Sequence, residues 1–166
     1  GDIYAGYIAK KMGLPINKLI IATNSNDILK RVINSGIYKP LKVERTVSPS
    51  MDIQVSSNFE RLIFDICSSN SNKTLKLMNE LNELGEFKLK KEDLDKIKEI
   101  FCAESLSEEE TKVVIRNTYK NHKILIDPHT AVGLGVSEKL SLKGNTVILA
   151  TAHPSKFSNV VAKETG

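Results

Sequence analysis

At 166 residues, with 40% hydrophobic and 27% charged side chains, the chain has an ordinary globular composition and the length of one domain or part of a larger one. Its net charge of +4 comes largely from lysines that alternate with acids, as across Lys88–Glu104, so no continuous basic stripe forms. With four tyrosines, five phenylalanines and no tryptophan to interleave, nucleic acid is not an expected partner. No apolar run is long enough to span a bilayer and no signal peptide is visible, so no membrane association is expected and the expected location is cytoplasmic. Cys67 and Cys102 lie far apart in apolar stretches and are expected as free thiols in a reducing compartment, with a disulfide as the alternative.

The chain opens on Gly1-Asp2 and runs straight into an amphipathic segment, which reads as a cut through a structural unit. Asp2 is the expected N-cap of a helix over about 3–12, where Tyr4, Ile8 and Met12 repeat at helical spacing and Gly13 gives the stop. The isoleucine-rich run 18–23 suits a strand buried on both faces. Asn24 or Asn26 then caps a helix that turns Ile28, Leu29, Val32 and Ile33 inward and ends at Gly36. Helix, strand, helix in this rhythm predicts an α/β unit with a parallel sheet.

Ser48–Asp52 is turn-like, and a helix is expected from about Ser57 to Cys67. Helical segments follow near 73–84, 92–101 and 107–120, the last opened by the capping-box pair Ser107 and Glu110. This lysine- and glutamate-rich stretch reads as a helical insertion. The α/β pattern then returns with an extended segment at 123–127, a helix over 129–140, and a buried-strand candidate at 145–150. The expected organisation is thus an α/β part over 1–66, a helical insertion over 67–122, and a returning α/β part over 123–166. Two isolated parallel strands need sheet neighbours, which are expected before Gly1.

Four segments can carry chemistry. Gly1-Asp2 opens a helix, and a helix start can hold a phosphate on its unpaired N–H groups; an ordinary cap is the plainer reading. Ser48–Arg61 crowds hydroxyls, amides, an acid and an arginine together, as a polar anionic substrate would require, or forms a turn and a capped helix with Arg61 on its surface. In Ile126–Gly133, His129 with Asp127 as its orienting partner could move protons, although helix capping by Asp127 or Thr130 explains the same residues. Thr151 and His153 fall just past the carboxyl end of a buried-strand candidate, where open α/β sheets bind ligands; a strand-to-helix connection punctuated by Pro154 is the alternative. The histidines have no ligand spacing with the cysteines or each other, so no metal site is expected.

In chain order, Gly1-Asp-Ile-Tyr-Ala-Gly-Tyr7, Ile21-Ala-Thr-Asn-Ser-Asn-Asp-Ile-Leu29, the Ser48–Arg61 segment, Asp127-Pro-His-Thr-Ala-Val-Gly133 and Ala150-Thr-Ala-His-Pro-Ser-Lys-Phe157 resemble the threonine synthases of the long-chain bacterial and fungal type. The resemblance spans nearly the whole chain and is least distinctive over residues 70–122. It implies the C-terminal part of a type II pyridoxal-phosphate fold, with parallel strands flanked by helices and a helix-rich insertion. It also implies pyridoxal 5'-phosphate as cofactor and conversion of O-phospho-L-homoserine and water to L-threonine and phosphate. Gly1 and Asp2 match the end of the loop around the cofactor phosphate, and Thr151 matches the hydroxyl residue facing the pyridine nitrogen. Ser50, Asp52, Ser56, Asn58 and Arg61 fall on the substrate side, while His129 and His153 lie in matching motifs. The lysine that forms the Schiff base belongs to a Phe-Lys-Asp-type context upstream of Gly1, so this chain carries no catalytic lysine and is expected to be inactive without an N-terminal part of the same enzyme. A piece of a whole enzyme, an inactive product of a split or decaying gene, and a non-catalytic α/β module that binds a phosphate ligand are the readings this leaves.

Overall fold

The isoleucine-rich run 19–23 becomes strand β1 (Leu19–Thr23) in the structure, a computed structural model that describes residues Gly1–Gly166. It follows helix α1 (Asp2–Lys11) and precedes α2 (Ile28–Ser35), β2 (Ile37–Tyr38), a 3-10 turn (Pro49–Met51), α3 (Phe59–Ile66) and α4 (Ser71–Leu84). Then come β3 (Phe87–Lys88), α5 (Lys91–Ile100), β4 (Phe101–Ser105), α6 (Glu108–His122), α7 (Pro128–Lys139), a second 3-10 turn (Pro154–Phe157) and α8 (Ser158–Thr165). The alternation of helices with short strands is the expected α/β class. Strands β1 and β4 are hydrogen-bonded neighbours, and β2 pairs antiparallel with β3, Tyr38 facing Phe87. No helix is long and apolar enough to cross a membrane.

The residues divide into two compact units, the first made of Gly1–Ile21, Asp27–Lys42 and Ile53–Ala103. On α2, Ile28, Val32 and Ile33 recur on one helical face and are almost wholly buried, because only that face meets the core. The helix ends at Gly36, whose φ of 78° lets its N–H reach the Val32 carbonyl, a left-handed conformation that costs glycine little. Tyr38 stacks between Phe59 and Phe87, with ring centroids 5.6 and 4.9 Å away. Its Oη accepts the Ser56 N–H at 2.7 Å. Phe59, Leu62, Ile63 and Ile66 of α3 join the same core as Ile97 and Phe101. Residues 71–103 therefore pack with the elements that precede them, and residues 104–122 belong to the second unit.

The second unit comprises Ala22–Asn26, Val43–Asp52 and Glu104–Gly166. Helix α6 begins with the expected capping box: the Glu110 N–H donates to Ser107 Oγ at 3.2 Å, and the Ser107 N–H to Glu110 Oε2 at 2.7 Å. It packs against α7 and α8. Gly135 on α7 permits the close approach, since a Cβ there would sit 2.5 Å from Leu106 Cδ2 and 2.9 Å from Val114 Cγ2. On α8, buried Glu164 receives the Arg116 guanidinium from α6.

The structure corrects several local expectations. Gly1, not Asp2, occupies the N-cap of α1, and Asp2 is the first helical residue. Asp27 takes the N-cap of α2, because Asn24 and Asn26 are committed to hydrogen bonds with residues 44–52. Residues 145–150 form no strand, and Val147 is 86% exposed. An apolar run signals a capacity for burial, whereas a strand also needs a ladder partner. Conversely, Phe101-Cys-Ala-Glu-Ser105, read at its start as helix, forms β4. Its Phe101 and Ala103 point into the core with the period of a strand.

Candidate functional site

In the first unit, two helix starts come close together. An ideal Cβ on Gly1 would lie 3.9 Å from the Asn58 side-chain amide, and Asn58 occupies the N-cap of α3. Neither start has a side-chain cap; the Phe59 N–H at the start of α3 is spent on the Ser56 carbonyl at 3.0 Å, and the positive end of each helix dipole lies beside the remaining first-turn N–H groups. Exposed Arg61 sits in the first turn of α3, and half-buried Ser56 precedes it. The Ser56 N–H is spent on Tyr38. Gly1, Asp2, Ser56, Asn58 and Arg61 are thus carried by the starts of two helices in one unit, an arrangement that favours an anion.

The second unit carries the remaining candidates in three neighbouring features. The segment following β1 holds a polar network around Asp52. Its Oδ1 accepts from Asn24 Nδ2 at 2.8 Å, Asn26 Nδ2 at 3.1 Å and Thr46 Oγ1 at 2.7 Å, while Oδ2 accepts the Thr46 N–H at 2.9 Å. Asn24 Nδ2 also reaches Ser48 Oγ at 3.0 Å. The carboxylate is therefore engaged in shaping the 43–52 segment, with Ser50 exposed on its 3-10 turn.

At the start of α7, Asp127 caps the helix through the N–H of His129 at 2.9 Å and of Thr130 at 3.4 Å. It also meets His129 Nδ1 at 2.8 Å and accepts the Thr130 hydroxyl. The Asp127 and His129 side chains are 0% and 4% exposed. His129 Nε2 accepts the Ser50 N–H at 3.1 Å, and Phe157 packs against the imidazole.

Beside this start lies a cleft of about 500 Å³, lined by Leu125–Asp127, Thr130, Ala150–Pro154 and Lys156. Thr151 is exposed on it. His153 caps the second 3-10 turn, Nδ1 accepting the Ser155 N–H at 3.2 Å and meeting Ser155 Oγ at 2.7 Å. Thr151 and His153 thus share a cleft with the Asp127 cap, although the buried strand expected before them does not form. The sequence does not single out Thr130 and Lys156 as lining this cleft, nor Asn24, Asn26 and Thr46 as partners of Asp52. The Asn-Ser-Asn run directly after a buried strand was the available signal for the first two. No group of three or more His, Cys, Asp or Glu side chains is arranged to hold a metal ion.

Residues 130–166 match the family model for the threonine synthase C-terminal region. The threonine synthase of Pseudomonas aeruginosa is 40% identical over 98% of this chain, and that of Saccharomyces cerevisiae 44% identical over 97%; the chain spans about 35% of each. Among solved structures, a PLP-bound threonine synthase from Brucella melitensis superposes with a TM-score of 0.94 at 44% identity, covering 99% of this chain and 36% of that one. The yeast threonine synthase gives 0.91 at 41% identity, covering 98% of this chain and 36% of that one. In both sequence and fold, nearly the whole length of this chain is thus similar to the C-terminal part of threonine synthases.

Proposed function

We propose that this chain provides the C-terminal part of a cytoplasmic, pyridoxal-phosphate-dependent threonine synthase that turns O-phospho-L-homoserine and water into L-threonine and phosphate. The match to a PLP-bound threonine synthase over 99% of the chain carries this reading. When bound, the cofactor would supply an electron sink for proton removal and phosphate elimination on the substrate.

The chain's own residues fit such a group unit by unit. In the first unit, the uncapped first-turn N–H groups of α1 at Gly1-Asp2 suit a phosphate, and Asn58 adds an amide beside them. Arg61 offers a permanently charged fork for a phosphate-bearing substrate, with Ser56 close by in sequence. In the second unit, the exposed Thr151 hydroxyl suits a pyridine nitrogen. A neutral hydroxyl there, in place of a carboxylate, leaves the ring less firmly protonated. Ser50 is exposed for substrate contact, and His153 keeps Nε2 for a ligand because Nδ1 is engaged by Ser155.

No catalytic lysine is assigned to these residues, so an N-terminal part of the same enzyme is the required partner. The unpaired, exposed Val147 and Leu149 support docking of further chain on the second unit. The test is cofactor absorbance together with phosphate release from O-phospho-L-homoserine. Both are measured on the 166-residue chain alone and after adding the N-terminal part of a related threonine synthase. The chain alone is expected to be silent and the complemented sample to show both signals. Turnover by the chain alone would overturn the missing-lysine argument, and silence after complementation would overturn the function.

A further inference from the structure

We infer that His129 is a neutral latch that positions Ser50, and not a group that carries protons in the reaction. Hydrogen-bond polarity decides the tautomer. A backbone N–H can only donate, so His129 Nε2, 3.1 Å from the Ser50 nitrogen, must be an unprotonated acceptor. An ionised carboxylate can only accept, so Nδ1, 2.8 Å from Asp127 Oδ1, carries the proton. Each ring nitrogen therefore has a partner of the opposite kind. That tautomer is the neutral ring, and both nitrogens are engaged within the fold instead of facing a ligand.

Its surroundings close the ring off from solvent. Phe157 covers the imidazole with ring centroids 4.9 Å apart, and the side chain is 4% exposed. Asp127 is itself fixed by capping α7 through the N–H groups of His129 and Thr130. The chain of contacts thus runs from a helix start, through a carboxylate and an imidazole, to one backbone N–H in the exposed turn Pro49–Met51. The other end of that turn is held independently, by Asp52 in its network with Asn24, Asn26 and Thr46. Between these two anchors Ser50 is exposed, with its backbone N–H tied to the imidazole. The consequence for substrate contact rests on the proposed function; the latch itself does not.

The test is nuclear magnetic resonance on the 166-residue chain, with two variants that separate the ring's two bonds. Glutamine places an acceptor oxygen near the position of Nε2, and asparagine a donor nitrogen near that of Nδ1. In the wild type, long-range proton–nitrogen correlations should show the proton on Nδ1, and the Ser50 amide should exchange slowly despite its exposed turn. His129→Asn should speed Ser50 exchange by about tenfold or more, while the amides of Thr130 and Ala131 stay protected. His129→Gln should restore Ser50 protection. A proton on Nε2, or an unprotected Ser50 amide in the wild type, would overturn the latch even if neither variant folds. Equal Ser50 exchange in both variants would do the same. In the complemented enzyme, His129→Asn should raise KM for O-phospho-L-homoserine with His129→Gln near wild type; a loss of kcat shared by both variants would return His129 to proton transfer. A confirmed latch in a sample without turnover would count against the proposed reaction alone.

Discussion

Replacing Asp127 with alanine strips the start of α7 of its cap and leaves two buried donors without an acceptor. Loss of a side-chain N-cap costs about 0.5–2 kcal/mol. The His129 Nδ1–H and the Thr130 hydroxyl then stay buried and unpaired, each at about 1–3 kcal/mol. All of these bonds end on one carboxylate, so the costs overlap and the sum is not additive; a net loss of about 3–5 kcal/mol is expected. Asp127→Asn keeps one carbonyl oxygen for the cap and lets the Thr130 hydroxyl turn to accept, so its loss should be about 1–2 kcal/mol. Urea unfolding followed by far-ultraviolet circular dichroism gives the global number. Amide exchange at His129, Thr130 and Ala131 reads the local one, which matters where two units unfold separately. An Asp127→Ala protein within about 1 kcal/mol of wild type, or as stable as Asp127→Asn, would refute the claim that this carboxylate organises the site.

Gly135→Ala puts a methyl group 2.5 Å from Leu106 Cδ2; overpacking of about 1–3 kcal/mol against a helix-propensity gain of about 1 kcal/mol should lower the thermal midpoint, and a rise would contradict the packing. Burial raises the Tyr38 phenol above its ordinary value of 10.0, partly offset by the Ser56 N–H it accepts. Stability from this group is full below that value and is lost as pH rises through the folded-state pKa, so Tyr38→Phe should flatten the alkaline limb of the stability profile. The Ser107 backbone N–H, with help from the Ser107 hydroxyl and Lys139, holds the Glu110 carboxyl below its usual 4.5. Its contribution is present above 4.5 and fades as pH falls through the lowered pKa, so amide protection at the start of α6 should decline with acid in the wild type and less so in Glu110→Gln.

Local signals in the sequence carried much of the fold. The i, i+4 spacing of Ile28 and Val32 forms a one-sided helix wherever a core is present, and Ser107 with Glu110 closes its box using only its own backbone. The site motifs were legible for the same reason. Asp127 sits two and three residues before the amides it caps, so that part of the geometry is short-range. Other features have no local sign. Phe101–Ser105 follows a helix without a break and becomes a strand because β1 offers a ladder, whereas the equally apolar 145–150 finds none.

The sequence alone determined the α/β class, the positions of most helices, and the motifs shared with threonine synthases, because propensity, capping and motif content all reside within a few consecutive residues. Tertiary structure alone decided what the polar side chains do. Asp52 became a network centre when Asn24 and Asn26 reached it from more than twenty residues away. His129 became an acceptor when a backbone N–H from the 48–52 turn arrived at Nε2. A titratable group's role depends on which partner occupies each of its atoms, and the chain path, not the residue type, brings those partners.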